Sequence, residues 1–335
     1  MLLAIHDLKF EILLVDDGST DGSGELCDSI QKEDCRVRTI HQVNQGVSAA
    51  RNCGIDAASG NYIFFLDADD TVETDELLSI ISIMEQNPDV DIAMFGCSLD
   101  YYKRGECYRS EAMRYSEDGI LCREQWFCKL QELYQCNYLS PVWNKIIRRN
   151  LLTEHSLQFD RSLFLFEDLH FSLKCLSNCK SIYCSTLVIY HYRQAEDEGN
   201  AGRRLKRISK ISSVIDNLQD AFYGLADSFG KEHDVFDDQL TDIFLMLARQ
   251  KIQVSDRRTI EEVCRDLKEW LPAHNVSPET LSGQYTQKVL QQKTAWLYWR
   301  CRYSALRHWI ANFVKYLRFC RRKDESHGEA ASSTI

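Results

Sequence analysis

No apolar run in these 335 residues reaches the roughly 20 residues that a bilayer-spanning helix needs, so no transmembrane helix is predicted. The opening MLLAIHDLKFEILLVDD has neither a basic n-region nor a small-residue cleavage site, and predicts no export signal. Paired CxxC knuckles are missing too. Fourteen cysteines in a chain of this size read as reduced thiols filling the core, and the densest group, Cys175, Cys179 and Cys184, lacks the spacing of a zinc site. Basic charge is short: 40 Lys and Arg face 50 Asp and Glu, a net charge of −10, which excludes a general nucleic-acid binder. Phosphate-cradling loops are absent as well. Gly18, Gly22 and Gly24 fit neither G-x-G-x-x-G nor a P-loop with its Lys-Ser/Thr pair. What remains is a globular, cytoplasmic chain with ample surface to bury.

Short apolar strands run into acid. Tyr62–Leu66 suits a strand buried on both faces, and Asp67, Ala68, Asp69 and Asp70 follow at once, ahead of a helix from about Asp75 to Gln86. Crowded carboxylates repel one another. A divalent cation would relieve them, because Mg²⁺ and Mn²⁺ take hard oxygen ligands from one or two carboxylates plus substrate phosphates. An isolated Asp-x-Asp also reads as an acidic turn capping a helix. Phe10–Val15 is a second such strand, ending in Asp16 and Asp17, where a parallel sheet exposes its strand ends to ligands.

Val37–His41 and Asp91–Phe95 complete a β-α-β-α-β-α-β alternation, which predicts an α/β layer with a mostly parallel sheet. The helix between Val47 and Ala58 carries small residues for close packing and Arg51, a cation suited either to a phosphate or to a surface ion pair. From Cys97 to Asn137 the pattern loosens around one helix, Arg123–Tyr134. Leu163–Phe166 is an apolar run closing on Glu167 and Asp168; acids there serve a helix dipole, or, partly desolvated, accept a proton. Leu187–Arg193 is the last strand, and residues 1–195 form the predicted sheet domain. Residues 196–323 read as helical, over 205–225, 235–253, 259–270 and 278–323, and the polar tail 324–335 as disordered. Between 294 and 323 basic residues alternate with Trp296, Trp299 and Trp309 without an acid, which suits either a membrane surface or a helix docked on its own protein.

VDDGSTDGS (Val15–Ser23), NQGVSAARNCGID (Asn44–Asp56) and NYIFFLDADD (Asn61–Asp70), in that order and spacing, resemble the family 2 glycosyltransferases of GT-A fold, a Rossmann-type α/β architecture. PVWNK and FEDLHF also look like family features, so the likeness covers about Phe10 to Arg193. The resemblance implies a nucleotide-sugar donor, most often a UDP-sugar, with Mn²⁺ or Mg²⁺. It further implies that Asp17 reads the nucleotide base beside Asp16, that Arg51 and Asp67 lie on the donor, and that Asp67 and Asp69 hold the metal, Asp69 most directly. Asp168 matches the general base and Glu167 its neighbour, while Trp143, Asn144 and Lys145 would face the acceptor. The implied reaction inverts the sugar on its way to a polysaccharide or lipid-linked acceptor at the inner face of a membrane. Family members usually begin with a strand, a P-x-Y-N-like turn and a helix; here Met1 falls where that helix should be ending. The implied sheet is short of one central strand, with unpaired edges beside the gap. A longer reading frame, a substitute element, or a relative that binds nucleotide-sugar without turnover would each fit. A nucleotidyltransferase of related topology is disfavoured by the lack of a glycine-rich loop followed by Arg and Lys near the amino terminus.

Overall fold

The computed structural model describes residues 2–5, 8–195, 208, 210–254 and 257–273. The expected alternation is present as β1 (Ile12–Asp16), α1 (Ser23–Glu33), β2 (Val37–His41), α2 (Val47–Ala57), β3 (Tyr62–Phe64), β4 (Thr71–Val72), α3 (Thr74–Gln86) and β5 (Val90–Lys103). After it come β6 (Glu106–Met113), β7 (Gly119–Cys122), α4 (Arg123–Cys128), α5 (Leu130–Gln135), β8 (Lys145–Arg148), α6 (Arg149–Glu154), α7 (Glu167–Asn178) and β9 (Ser181–Ala195).

Strand β5 is the centre. Every residue from Val90 to Ser98 is buried, as its apolar run requires. It lies parallel to β9, and β3 runs the same way because both β3 and β5 pair antiparallel with β8 between them. The order is β3-β8-β5-β9-β4, with β6 added to β5 and β7 to β9. Gly96 is needed where β5 meets its neighbours: a Cβ there would stand 2.9 Å from the Met113 carbonyl oxygen and 3.0 Å from that of Leu187. Helix α3 closes one face, burying Leu77, Ile80 and Met84 in a cluster with Phe95, Trp143 and Tyr190. Ile80, Met84 and Phe95 are fully enclosed, each contributing about 1.5–3 kcal/mol of transfer free energy.

The parallel pair β1–β2 forms a separate two-stranded sheet, and no ladder joins β1 to β3 among the described residues. A side chain links the segments that precede β1 and β3: the Glu11 carboxylate accepts hydrogen bonds from Ser59 N (2.7 Å), Ser59 Oγ (2.7 Å) and Gly60 N (3.1 Å). Nearby, Arg36 donates to the carbonyls of Leu3 (2.7 Å) and Ile5 (2.5 Å), and Leu2 packs against the core cluster.

Two local expectations change. The polar stretch after Cys97 is a hairpin, β5 turning into β6 through Arg104 and Gly105, both at positive φ as a tight hairpin turn demands. Its outer strand is mostly exposed, so it carries no apolar alternation to read. The single helix expected over 123–134 breaks into α4 and α5 at Lys129. The apolar run Leu163–Phe166 joins no ladder among the described residues and ends at Phe166 in the left-handed region, φ 60°.

The chain separates into two units, Met1–Asp197 with Asn217–Val235, and Glu198–Asp216 with Phe236–Ile335. Residues 217–235 belong to the first unit. The first three expected helices appear as α8 (Ile211–Ser228), α9 (Asp237–Val254) and α10 (Arg257–Ala273), and the fourth, 278–323, lies outside the described residues. In the second unit the Asp266 carboxylate of α10 caps α8 from a distance in sequence, accepting from Ile211 N at 2.6 Å and Ser212 N at 3.0 Å. No helix among the described residues is long and apolar enough to cross a membrane. The basic stretch 294–323 and the tail lie outside the described residues.

Candidate active site

Asp16 ends β1. Its Oδ1 accepts Ser19 N at 2.9 Å, and its Oδ2 meets His41 Nδ1 at 2.9 Å. Hydrogen bonding from Ser19, then from His41, lowers its pKa to about 2. The other His41 nitrogen meets Asp28 at 2.9 Å, and the two carboxylates raise the pKa of the ring between them.

Asp17 has a different task. Its carboxylate accepts Gln42 Nε2 (2.7 Å), Gln45 N (2.9 Å) and Gly46 N (2.8 Å). The residue expected to read the nucleotide base therefore also anchors the start of α2, whose second turn carries Arg51.

The acidic turn after β3 divides in two. Asp70 points inward and is buried, accepting Tyr190 Oη at 2.7 Å and Arg193 N at 2.7 Å. Burial raises its pKa, which those hydrogen bonds oppose. Tyr190 Oη in turn accepts Asp67 N at 3.1 Å. The turn is thereby pinned to β9 while Asp69 stays exposed and Asp67 half-buried. Crowding of the four-residue run is thus relieved partly by turning one acid into a hydrogen-bonded niche.

Arg51 brings the motifs together. Its guanidinium donates through Nη1 to Asp168 Oδ1 and lies, through Nη2, 3.4 Å from Asp67 Oδ1. Residues 117 positions apart meet here. Asp168 is the second residue of α7 and Glu167, nearly buried, the first. Burial pushes Asp168 up to about 6, against the pull of Arg51 and with the repulsion of Glu167 and Asp67.

An aromatic assembly sets these spacings. Phe159 stacks on Phe171 at 4.0 Å, and Phe65 meets both rings edge-on at 5.5 and 6.2 Å. Phe65 lies two residues before Asp67 and Phe171 three after Asp168, so packing the rings brings the two carboxylates to one cation. Arg51 lies over the Phe159 face, 5.4 Å from its centroid. Beside it, Asn52 exchanges two hydrogen bonds with the Phe159 backbone, 2.9 and 2.8 Å.

Trp143, Asn144 and Lys145, expected toward the acceptor, are interior instead. Trp143 stacks on Tyr190 at 4.3 Å and on Tyr192 at 5.5 Å. Lys145 Nζ donates to the carbonyls of Tyr138 (2.6 Å), Leu139 (3.2 Å) and Pro141 and to Asn144 Oδ1 (2.9 Å), while Asn144 donates to Asn137 O. Burial lowers the lysine to about 7. The apolar neighbours Val142 and Ile146 draw this segment into the core, and its polar groups then have to bond one another.

No group of three or more Asp, Glu, His and Cys side chains among the described residues could hold a metal by itself. Asp67 and Asp69 open at a strand end, which fits Mg²⁺ or Mn²⁺ shared with substrate phosphates and does not fit a metal caged by protein alone. Residues that sequence reasoning passed over are Asn52, Phe65, Asp70, Phe159, Phe171 and Tyr190. Asn52, Phe65, Asp70 and Phe171 sit inside the quoted motifs; Phe159 had no periodic signal to mark it.

The profile of the family described as Glycosyl transferase family 2 matches residues 2–152. Glycosyltransferase GlyG of Streptococcus pneumoniae is 46% identical over 218 residues, 63% of this chain and 60% of that protein. The uncharacterized glycosyltransferase EpsJ of Bacillus subtilis is 34% identical over 185 residues, 55% of this chain and 52% of that protein. The succinoglycan biosynthesis protein ExoO of Rhizobium meliloti is 32% identical over 228 residues, 64% of this chain and 60% of that protein. The chain thus matches between about half and three fifths of these relatives' lengths. Among solved structures, residues 1–349 of S. aureus TarS in complex with UDP-GlcNAc superpose with a TM-score of 0.52 at 16% identity, covering 90% of this chain and 85% of that one, a likeness of fold. Motif order, sheet topology and relatives agree: residues 2–152 are similar to the family 2 glycosyl transferases, and the sheet-bearing part of this chain has a GT-A-like α/β fold.

Proposed function

We propose that the chain transfers a sugar, with inversion, from a nucleotide-sugar donor, a UDP-sugar by family resemblance, to a hydroxyl of a polysaccharide or lipid-linked glycan on the cytoplasmic side of a membrane. One observation carries this reading: a single guanidinium faces both the Asp67 carboxylate of the DxD turn and the Asp168 carboxylate at the head of α7. Donor chemistry and proton acceptance then share one pocket, as a direct displacement requires.

Asp168 supplies the base. Raised to about 6 by burial, its carboxylate is ionised at neutral pH and is a stronger proton acceptor than an exposed aspartate. It takes the proton of the acceptor hydroxyl as that oxygen bonds to the anomeric carbon, and the bond from that carbon to the diphosphate oxygen breaks. Glu167, its buried neighbour, disfavours additional negative charge on Asp168 and so adds to its basicity. Asp67 and Asp69 would hold Mn²⁺ or Mg²⁺, which supplies positive charge for the leaving diphosphate. Asp16 and Asp17 organise the loop beneath the nucleotide, Asp17 through the start of α2. Arg51 adds the cation that a diphosphate would meet.

The test is donor binding and transfer by variants of the full chain. Asp69→Asn should abolish cation-dependent UDP binding in calorimetry, and Asp168→Asn should keep it while losing transfer. Transfer by Asp168→Asn at the parent rate would remove the base assignment. UDP binding by the parent without transfer to any glycan would favour a nucleotide-sugar-binding role instead.

A further inference from the structure

Arg51 is an unusual resident for a site that is to receive a divalent cation. Its side chain is only 12% exposed, and it is held in place from behind by the Phe159 face and from beside by the Asn52–Phe159 hydrogen bonds. In front of it stand Asp168 and Asp67, the second being a carboxylate assigned above to the cation.

A divalent ion bound to Asp67 would lie about 2.1 Å from its oxygen, while Nη2 already stands 3.4 Å from Asp67 Oδ1. Two cations would then face each other across one carboxylate within a few ångströms. At such a range like charges repel even at the surface, and metal binding is weakened. Asp168 cannot draw Arg51 away, because the same guanidinium is already bonded to it and the aromatic shelf limits its travel.

We propose that Arg51 is a built-in counter-ion that competes with the divalent cation for Asp67, so that the donor-free site rejects metal alone and accepts it with a diphosphate. The phosphate oxygens bring the negative charge that lets both cations remain. Metal and donor therefore enter as one complex, and in their absence Asp168 stays locked to Arg51. This inference rests on the sugar-transfer reading for the nature of the incoming cation.

Free Mn²⁺ can be counted by electron paramagnetic resonance in titrations of the full chain, with Mn²⁺ alone and with Mn²⁺ plus UDP. The parent should take up Mn²⁺ weakly alone and much more tightly with UDP. Arg51→Gln should bind Mn²⁺ alone about tenfold more tightly, as removal of a nearby like charge requires, and the gain should vanish in the double variant with Asp67→Asn. A merely structural arginine would leave Mn²⁺ affinity unchanged or lower it, and that result would overturn the proposal. If Arg51→Gln is unfolded by circular dichroism, Arg51→Lys is titrated instead; it keeps the charge but loses the fork that spans two carboxylates, and a gain of about threefold is expected. No gain there counts equally against the counter-ion. A parent that takes up no Mn²⁺ even with UDP overturns the cation-dependent reading itself, whereas a parent that does, beside variants without a gain, overturns the counter-ion alone.

Discussion

The Tyr190 hydroxyl donates to the Asp70 carboxylate at 2.7 Å and accepts the Asp67 amide at 3.1 Å, so one phenol on β9 clamps both ends of the acidic turn. The clamp separates a structural acid from two that face outward, and it makes the turn's geometry depend on a strand 120 residues away.

Tyr190→Phe keeps the ring stack with Trp143 and removes the clamp. Asp70 is then buried with one fewer donor, at a cost of about 1–3 kcal/mol. A lowered midpoint in urea, together with weaker cation-dependent UDP binding, is expected; unchanged values for both would show that the turn holds without it.

Asp168 sets two opposite pH trends. With its pKa raised to about 6, above an unfolded value near 3.9, the folded state binds more protons between those two pH values. Its contribution to stability therefore falls as pH rises through that window. Transfer needs the ionised form, so kcat/KM should climb through about pH 6 in the parent. Denaturation midpoints measured from pH 4 to 7 should fall less steeply with rising pH in Asp168→Asn than in the parent.

Lys145 is a test of interior polarity. Lys145→Met leaves three carbonyls and the Asn144 amide oxygen without their shared donor in a buried segment. A loss of about 3–5 kcal/mol is expected, read from chemical denaturation. A loss below 1 kcal/mol would mean that water replaces the ammonium.

Gly96→Ala probes the centre of the sheet. Both nearest carbonyl oxygens belong to neighbouring strands and cannot swing aside as a flexible side chain could. Destabilisation by about 1–3 kcal/mol is expected, seen as a lower Tm.

Periodicity made the β-α alternation legible from Phe10 to Phe95, because those strands are apolar runs broken by glycine and acid. It did not reveal that β5 and β9 extend to 14 and 15 residues, since their outer ends mix tyrosine with polar side chains. Trp143, Asn144 and Lys145 looked polar enough for a binding surface. Only the packed segment shows an ammonium surrounded by carbonyls.

By itself the sequence determined the acids: which strand ends carry them, that a cation, Arg51, lies on the helix between Val47 and Ala58, and which family their order resembles. Tertiary structure alone decided their division of labour. Asp70 turns inward to Tyr190, Asp17 holds α2, and Asp67 and Asp168 meet over Arg51 because Phe65, Phe159 and Phe171 pack together. The reason is physical: local sequence specifies which charges are present, but burial and distance set what each one does, and both arise only when remote segments share a core.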